Sequence, residues 1–113
     1  MTYKYVSKET LESIISRKQT HIAKLNAGFW KDMNIGQKFT LTDGERFVEI
    51  CVENISYFKN FGDAWFILGE KLVPSHIRNI ITEGDAIKYF REFYTDVDVG
   101  ACGVVAIKIN RSE

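Results

Sequence analysis

The sequence lacks the features that would place it in a membrane, outside the cell or on a metal. No stretch of its 113 residues approaches the ~20 consecutive apolar residues that a membrane-spanning helix needs, so no membrane partner is expected. The opening MTYKYVSKET has no apolar core of the kind a secretory signal carries. The expected location is therefore intracellular, in the cytoplasm. Only two cysteines occur, Cys51 and Cys102. Each sits in an apolar, strand-like run, and neither belongs to a CxxC or a Cys–His pair at zinc spacing. They read as reduced, buried thiols, and no metal or cofactor is implied. His21 and His76 are far apart, with no carboxylate at metal spacing. There is no GxSxG, HExxH, P-loop or Rossmann fingerprint. Repeats, low-complexity segments and linkers are absent too. Basic and acidic residues balance at a net charge of zero, which argues against strong, sequence-blind binding to duplex nucleic acid.

What is present suits one domain over 1–113 with an ordinary apolar fraction of 45%. Ser7 reads as an N-cap with Glu9 in the first turn, and Val6 can staple onto Leu11. Leu11, Ile14 and Ile15 then share a face, predicting a helix over 8–17 that ends on Arg17 and Lys18. Residues 19–34 have no clean period and read as loop. Alternation predicts a strand at 37–42, the Asp-Gly of "TDGE" a tight hairpin turn, and β-branched and aromatic residues a strand over 47–55. There Val48, Ile50 and Val52 point one way, Glu49 and Glu53 the other. "NFGDAWFILGE" reads as a short helix stopped by Gly69, and Pro74 opens a helical turn containing Ile77, Ile80 and Ile81. Thr82 caps a helix over 83–94, with Asp85 three residues on and Ile87, Phe90 and Tyr94 on one face. "GVVAIKI", 103–109, reads as a buried strand, and the tail NRSE as frayed. Val48, Ile50, Val52, Phe90 and Ile107 are the expected core. Helix, strands, helices and strand in that order predict an α+β fold, a small curved or barrel-like sheet with helices packed outside.

One absence is local. No Asp or Glu lies between Glu12 and Asp32, and within that gap "SRKQTHIAKLN" collects Arg17, Lys18, Lys24, Gln19, Thr20, His21 and Asn26. A solvated helix terminus would account for the charges. The functional reading is a phosphate or nucleotide contact. Lys brings a mobile charge and Arg a two-pronged grip on phosphate. Thr, Gln and Asn can read a base edge, and Phe29 or Trp30 can stack on one.

The order of "SRKQTHIAKLN", "NIGQKF", "ISYFKNFGDAW", "GEKLVP", "AIKYFREFY" and "GVVAIKI" resembles the ASCH domain, the activating-signal-cointegrator homology family of the PUA-like superfamily. The likeness runs roughly from Val6 to Ile109. It implies a small PUA-like β-barrel with helices outside and a cleft between them for a nucleotide or RNA. Some bacterial members look like hydrolases of N4-acetylcytidine, and others are described as ribonucleases. The hydrolase-like chemistry relies on a Lys and a Thr in a Gly-Lys-Lys-Thr-x-Glu-x-Arg-Leu motif, and on a Glu before the Pro loop. Glu70 matches that Glu. Aligning Leu25 and Asn26 with the motif's end puts Lys24 on its Arg and Thr20 on the Thr after the Lys. Gln19 then falls on the catalytic Lys and Ile22 on the second polar position, so the catalytic pair is lost. A one-residue slide restores Lys18 to the Lys but puts His21 on the Thr and Ala23 on the Arg.

Three readings follow. The first is an ASCH-like domain that binds single-stranded RNA or a nucleotide in a cationic cleft without full catalytic equipment. Its ligand-binding residues would be Arg17, Lys18, Gln19, Thr20, Lys24, Asn26, Trp30 and Glu70. The second is an amidohydrolase on acetylated cytidine, or another nucleotide-processing hydrolase, with Glu70 and Lys18 catalytic. The third is a protein-interaction module that meets a partner through exposed Tyr57, Phe58 and Phe61.

Overall fold

The computed structural model describes residues 2–111. In chain order the elements are β1 (Tyr3–Tyr5), α1 (Lys8–Ile15), β2 (His21–Leu25), α2 (Gly28–Lys31), β3 (Lys38–Thr42) and β4 (Phe47–Phe58). After them come α3 (Phe61–Leu68), a 3-10 turn (Gly69–Leu72), α4 (Ser75–Arg78), α5 (Glu83–Arg91), α6 (Asp96–Cys102) and β5 (Val104–Arg111). The fold is α+β. Its strands form one curled, half-barrel sheet in the order β1-β3-β4-β5-β2. β1 runs parallel to β3, and the other neighbours are antiparallel.

Side chains at the element ends set the boundaries. Ser7 Oγ accepts the Thr10 N–H and caps α1. The helix stops two residues short of the expected Arg17. Arg17 takes a left-handed φ of 64°, and the Arg17 and Lys18 N–H groups return to the carbonyls of Ile14 and Ser13. This is a Schellman ending with arginine where glycine is usual. Asp43 accepts the N–H groups of Arg46 and Glu45 and fixes the β3–β4 turn. Those bonds hold its carboxyl down at about 2. Thr82 and Asp85 form a reciprocal capping box on α5, and α3 ends at Gly69 with φ 60°.

Each face of the sheet carries its own cluster. On one, Val48, Ile50 and Val52 of β4 and Val105, Ile107 and Ile109 of β5 pack against Leu11 and Ile14 of α1, with Phe29 and Trp30 of α2 at the margin. On the other, Val104 and Ala106 of β5 and Ala23 of β2 meet Phe61, Leu72, Tyr89 and Phe90 from the helices. The expected core residues Val48, Ile50, Val52, Phe90 and Ile107 are all buried. A bulge between Val52 and Asn54 interrupts the β4–β5 register, so the alternation over 48–52 changes phase beyond Glu53.

Several expectations are corrected. Residues 19–34 are not a loop but contain β2 and α2. The strand was hidden because Lys24, opposite Val105, occupies a place where alternation calls for an apolar residue. Cys102 ends α6 rather than lying in a strand, and both cysteines are half-buried. The 83–94 helix ends at Arg91. The turn after Pro74 covers only Ser75–Arg78 and leaves out Ile80 and Ile81. Asn110 and Arg111 are not frayed, since they pair with Cys51 and Ile50; Ser112 and Glu113 lie outside the described residues. Of the aromatics expected to be exposed, Tyr57 is, but Phe58 is half-buried and Phe61 is only 5% exposed. Phe61 stacks on Phe90 with ring centroids 4.0 Å apart.

Candidate functional site

β2 is a terminal strand of the sheet, and a cleft opens along its free edge. Val6, Ser7 and Thr10 at the start of α1 bound one side, and Ile22, Ala23 and Lys24 of β2 the other. Tyr89, Phe90, Phe93 and Tyr94 from α5 and the turn beyond it close the top, and Gln19 and Leu72 the end. The enclosed space is about 90 Å³. The spacing of "YFREFY" explains the aromatic wall. Rings at 89, 90, 93 and 94 form two adjacent stripes of a helical turn. Phe90 and Tyr94 stack on Phe61, while Tyr89 and Phe93 lie edge to face, 5.3 Å apart. Thr10 Oγ1 and the Tyr89 hydroxyl meet at 3.4 Å across the cleft wall.

Lys24 is the cation of this site. It is half-buried, and burial lowers its ammonium pKa. No carboxylate pairs with it among the described residues. Its Nζ lies 5.5 Å from the centroid of the Trp30 ring, and Lys4 of β1 sits 4.2 Å over the neighbouring Phe29. The two outermost strands thus each place an ammonium on the aromatic pair of α2. Such a contact offsets part of the cost of taking the charge from water.

The remaining expected residues are distributed unevenly. Gln19 and Lys24 share the cleft. Arg17, Gln19 and Thr20 line a second hollow of about 110 Å³ with Ile14, Ile109, Asn110 and Arg111. Lys18 and Glu70 are exposed and line neither. Asn26 donates its main-chain N–H to Gly103, and its Oδ1 is buried without a partner among the described residues. The 3-10 turn is nonetheless bound to the cationic segment. Thr20 N–H donates to the Lys71 carbonyl at 3.0 Å, and Gln19 Nε2 donates to the carbonyls of Leu72 at 3.3 Å and His21 at 2.9 Å. Gln19 therefore has both amide hydrogens engaged by the main chain. His21 is bonded to Thr20 Oγ1 at 2.8 Å. Burial, with the charges of Lys108 and Lys71, lowers its pKa.

Sequence reasoning missed Thr10, Tyr89 and Phe93, and assigned Ser7 and Tyr94 to capping and core alone. The doubled aromatic stripe was the available signal: four rings on one short turn are more than the core alone takes up, and Phe93 is left 53% exposed.

No protein-family model and no curated protein matches this chain. Among solved structures, it is similar to the crystal structure of hypothetical protein PH0355, with a TM-score of 0.86 and 21% identity over 99% of this chain and 100% of that one. It is also similar to the solution NMR structure of protein PF0455 from Pyrococcus furiosus, with a TM-score of 0.80 and 23% identity over 99% of this chain and 97% of that one. At these identities the likeness is one of fold.

Proposed function

We propose that this chain binds a nucleotide, or the exposed base of a single-stranded RNA, in the cleft beside β2, and that it does so as a PUA-like, ASCH-like domain without hydrolytic activity. The observation that carries this reading is Lys24, a half-buried lysine without a carboxylate partner among the described residues, which lines a cleft together with Tyr89, Phe93 and Tyr94. A charge kept partly out of water with no internal counterion is costly unless a ligand supplies one. Phosphate supplies it, and a base supplies a flat face for the rings. The space is smaller than the roughly 300 Å³ of a typical small-molecule pocket. It suits a ring, with the sugar and phosphate lying outside.

Catalysis has little support here. Gln19 does not titrate, Ile22 is buried in the core, and Glu70 is exposed and does not line the cleft. The test is an NMR or thermal-shift screen against nucleosides, nucleotides and short single-stranded RNAs, with product formation from N4-acetylcytidine followed in parallel. Expected are saturable binding that weakens modestly with salt, because few phosphates are met, loss of affinity in Lys24→Met, and no product. Glu70→Gln should leave catalysis absent and binding nearly unchanged. Turnover abolished by Glu70→Gln would restore the hydrolase reading.

A protein-partner reading is favoured by one feature, the outer side of α3, where Phe66 is 84% exposed beside exposed Ile67. A screen with no nucleotide hit would move attention there.

A further inference from the structure

The cleft's lining includes hydrogen-bonding groups without a partner among the described residues. Gln19 is 4% exposed. Because its Nε2 donates to two main-chain carbonyls, a flipped amide would set oxygen against oxygen, so the orientation is determined. Its Oε1 is buried and has no partner among the described residues. Gln19 lines the cleft, as does Leu72, to which its amide head is tied; the second hollow, which Gln19 also lines, is bounded by its main-chain neighbours Arg17 and Thr20.

Ala23 adds a second unused set. Thr20 accepts from Ile109 and Asn26 donates to Gly103. In the intervening antiparallel register, Ile22 and Lys24 exchange bonds with β5, and the N–H and carbonyl of Ala23 point away from it. Ala23 also lines the cleft. A ligand entering here meets two acceptors, Gln19 Oε1 and the Ala23 carbonyl, near an ammonium that disfavours cations.

Resting on the nucleotide reading above, we infer that the cleft selects rings bearing a neutral exocyclic amine, which donates to Gln19 Oε1, over their oxo counterparts. An aromatic amine is uncharged at neutral pH and has two hydrogens to give. An oxo group in its place would set an acceptor against acceptors and leave Gln19 Oε1 unsatisfied. The Ala23 N–H remains for a ring nitrogen.

The experiment is a titration of the whole chain, followed by NMR at the Gln19 side-chain amide, with cytidine against uridine and adenosine against inosine. N4,N4-dimethylcytidine is the decisive control. It removes the donors without touching the protein, whereas Gln19→Met would also remove two main-chain hydrogen bonds. Expected is a preference of roughly tenfold or more for the amino member of each pair, loss of that preference on dimethylation, and a shift of the Gln19 amide on binding. Equal affinities with the Gln19 amide still shifting would overturn the selectivity and leave the cleft reading intact. Equal affinities without that shift would overturn the assignment to Gln19. No nucleoside binding at the cleft would overturn both.

Discussion

The two faces of the sheet are filled by different chemistry. One is mainly aliphatic and strand-rich: Leu41, Ile50, Val105 and Ile107 are wholly buried, α1 packs against them, and Phe29, Trp30 and Phe39 are the rings among them. The other is aromatic and helix-rich, built on the stack of Phe61, Phe90 and Tyr94. Aliphatic side chains on a pleated surface interdigitate and close space. Rings carried on short helices meet at fixed angles and leave gaps. The cleft lies at the seam, taking Val6 and Ile22 from the first cluster and Ala23, Leu72, Tyr89 and Phe90 from the second. A further gap of about 360 Å³ lies on the aromatic side, between Phe61, Glu83, Ile87 and Tyr94. The two gaps on or beside the aromatic cluster thus go with the packing of rings, while the aliphatic face holds the frame.

The largest expected effect tests that division directly. Ile107→Ala, at the centre of the aliphatic face, should cost about 2–5 kcal/mol in urea unfolding. Phe93→Ala, on a ring that is 53% exposed, should cost less than about 1 kcal/mol while weakening nucleotide binding. Equal stability losses would erase the distinction between frame and site.

A middle-sized effect lies in the alkaline range, where the two sides of the cleft respond in opposite senses. Burial raises the Tyr94 phenol from 10.0 to about 12. Its contribution to stability is complete below pH 10.0 and is lost as pH climbs toward 12. Lys24 is depressed below its ordinary 10.5, so its contribution is present above 10.5 and is lost as pH falls through the folded-state value. In pH-dependent denaturant titrations, Tyr94→Phe should flatten the alkaline fall and Lys24→Met the rise that precedes it. An unchanged profile in both variants would mean that neither group is held as described.

The smallest effect probes how loosely the aromatic side is packed. A Cβ on Gly62 would come within 2.8 Å of Glu83 Oε1, the far end of a movable side chain, and within 3.3 Å of the capping oxygen of Asn60. Gly62→Ala should therefore lie within about 1 kcal/mol of the native chain, the helix-propensity gain offsetting the displacement of Glu83. Combined with Glu83→Ala it should be stabilising. A loss of several kcal/mol would show that this side is as tightly fitted as the other.

The frame was largely readable before the coordinates. Ser7, Thr82 and Asp85 announce their helices through the oxygens that cap them, and Val48, Ile50 and Val52 announce a half-buried strand through strict alternation. The site was read less well for one physical reason: its residues break those periodicities. Lys24 interrupts the alternation of β2, and Arg17, which lines the second hollow rather than the cleft, ends a helix in a conformation typical of glycine. Tyr89 and Phe93 come from a segment more than sixty positions away from Lys24 in the chain. Gln19 and Lys24 were named as ligand-binding candidates and do share the cleft, yet nothing in a linear pattern could tell that Lys18 would face solvent and Gln19 the interior.

The strand order has a kinetic consequence. β3 and β4 are joined by a short turn, and their pairing requires little loop closure. β5, by contrast, reaches β4 only after the chain has passed through α3 to α6, and β2 pairs with β5 alone. Contacts that close long loops form late, so β2 docks only once β5 is in place. The same dependence runs backward during native-state fluctuations. β2 can detach while β3, β4 and β5 stay together, because no other strand leans on it. The edge that carries Ala23 and Lys24 therefore exchanges its amide hydrogens with water ahead of the inner strands β3, β4 and β5. A ligand bound there would slow that exchange without altering the rest of the sheet.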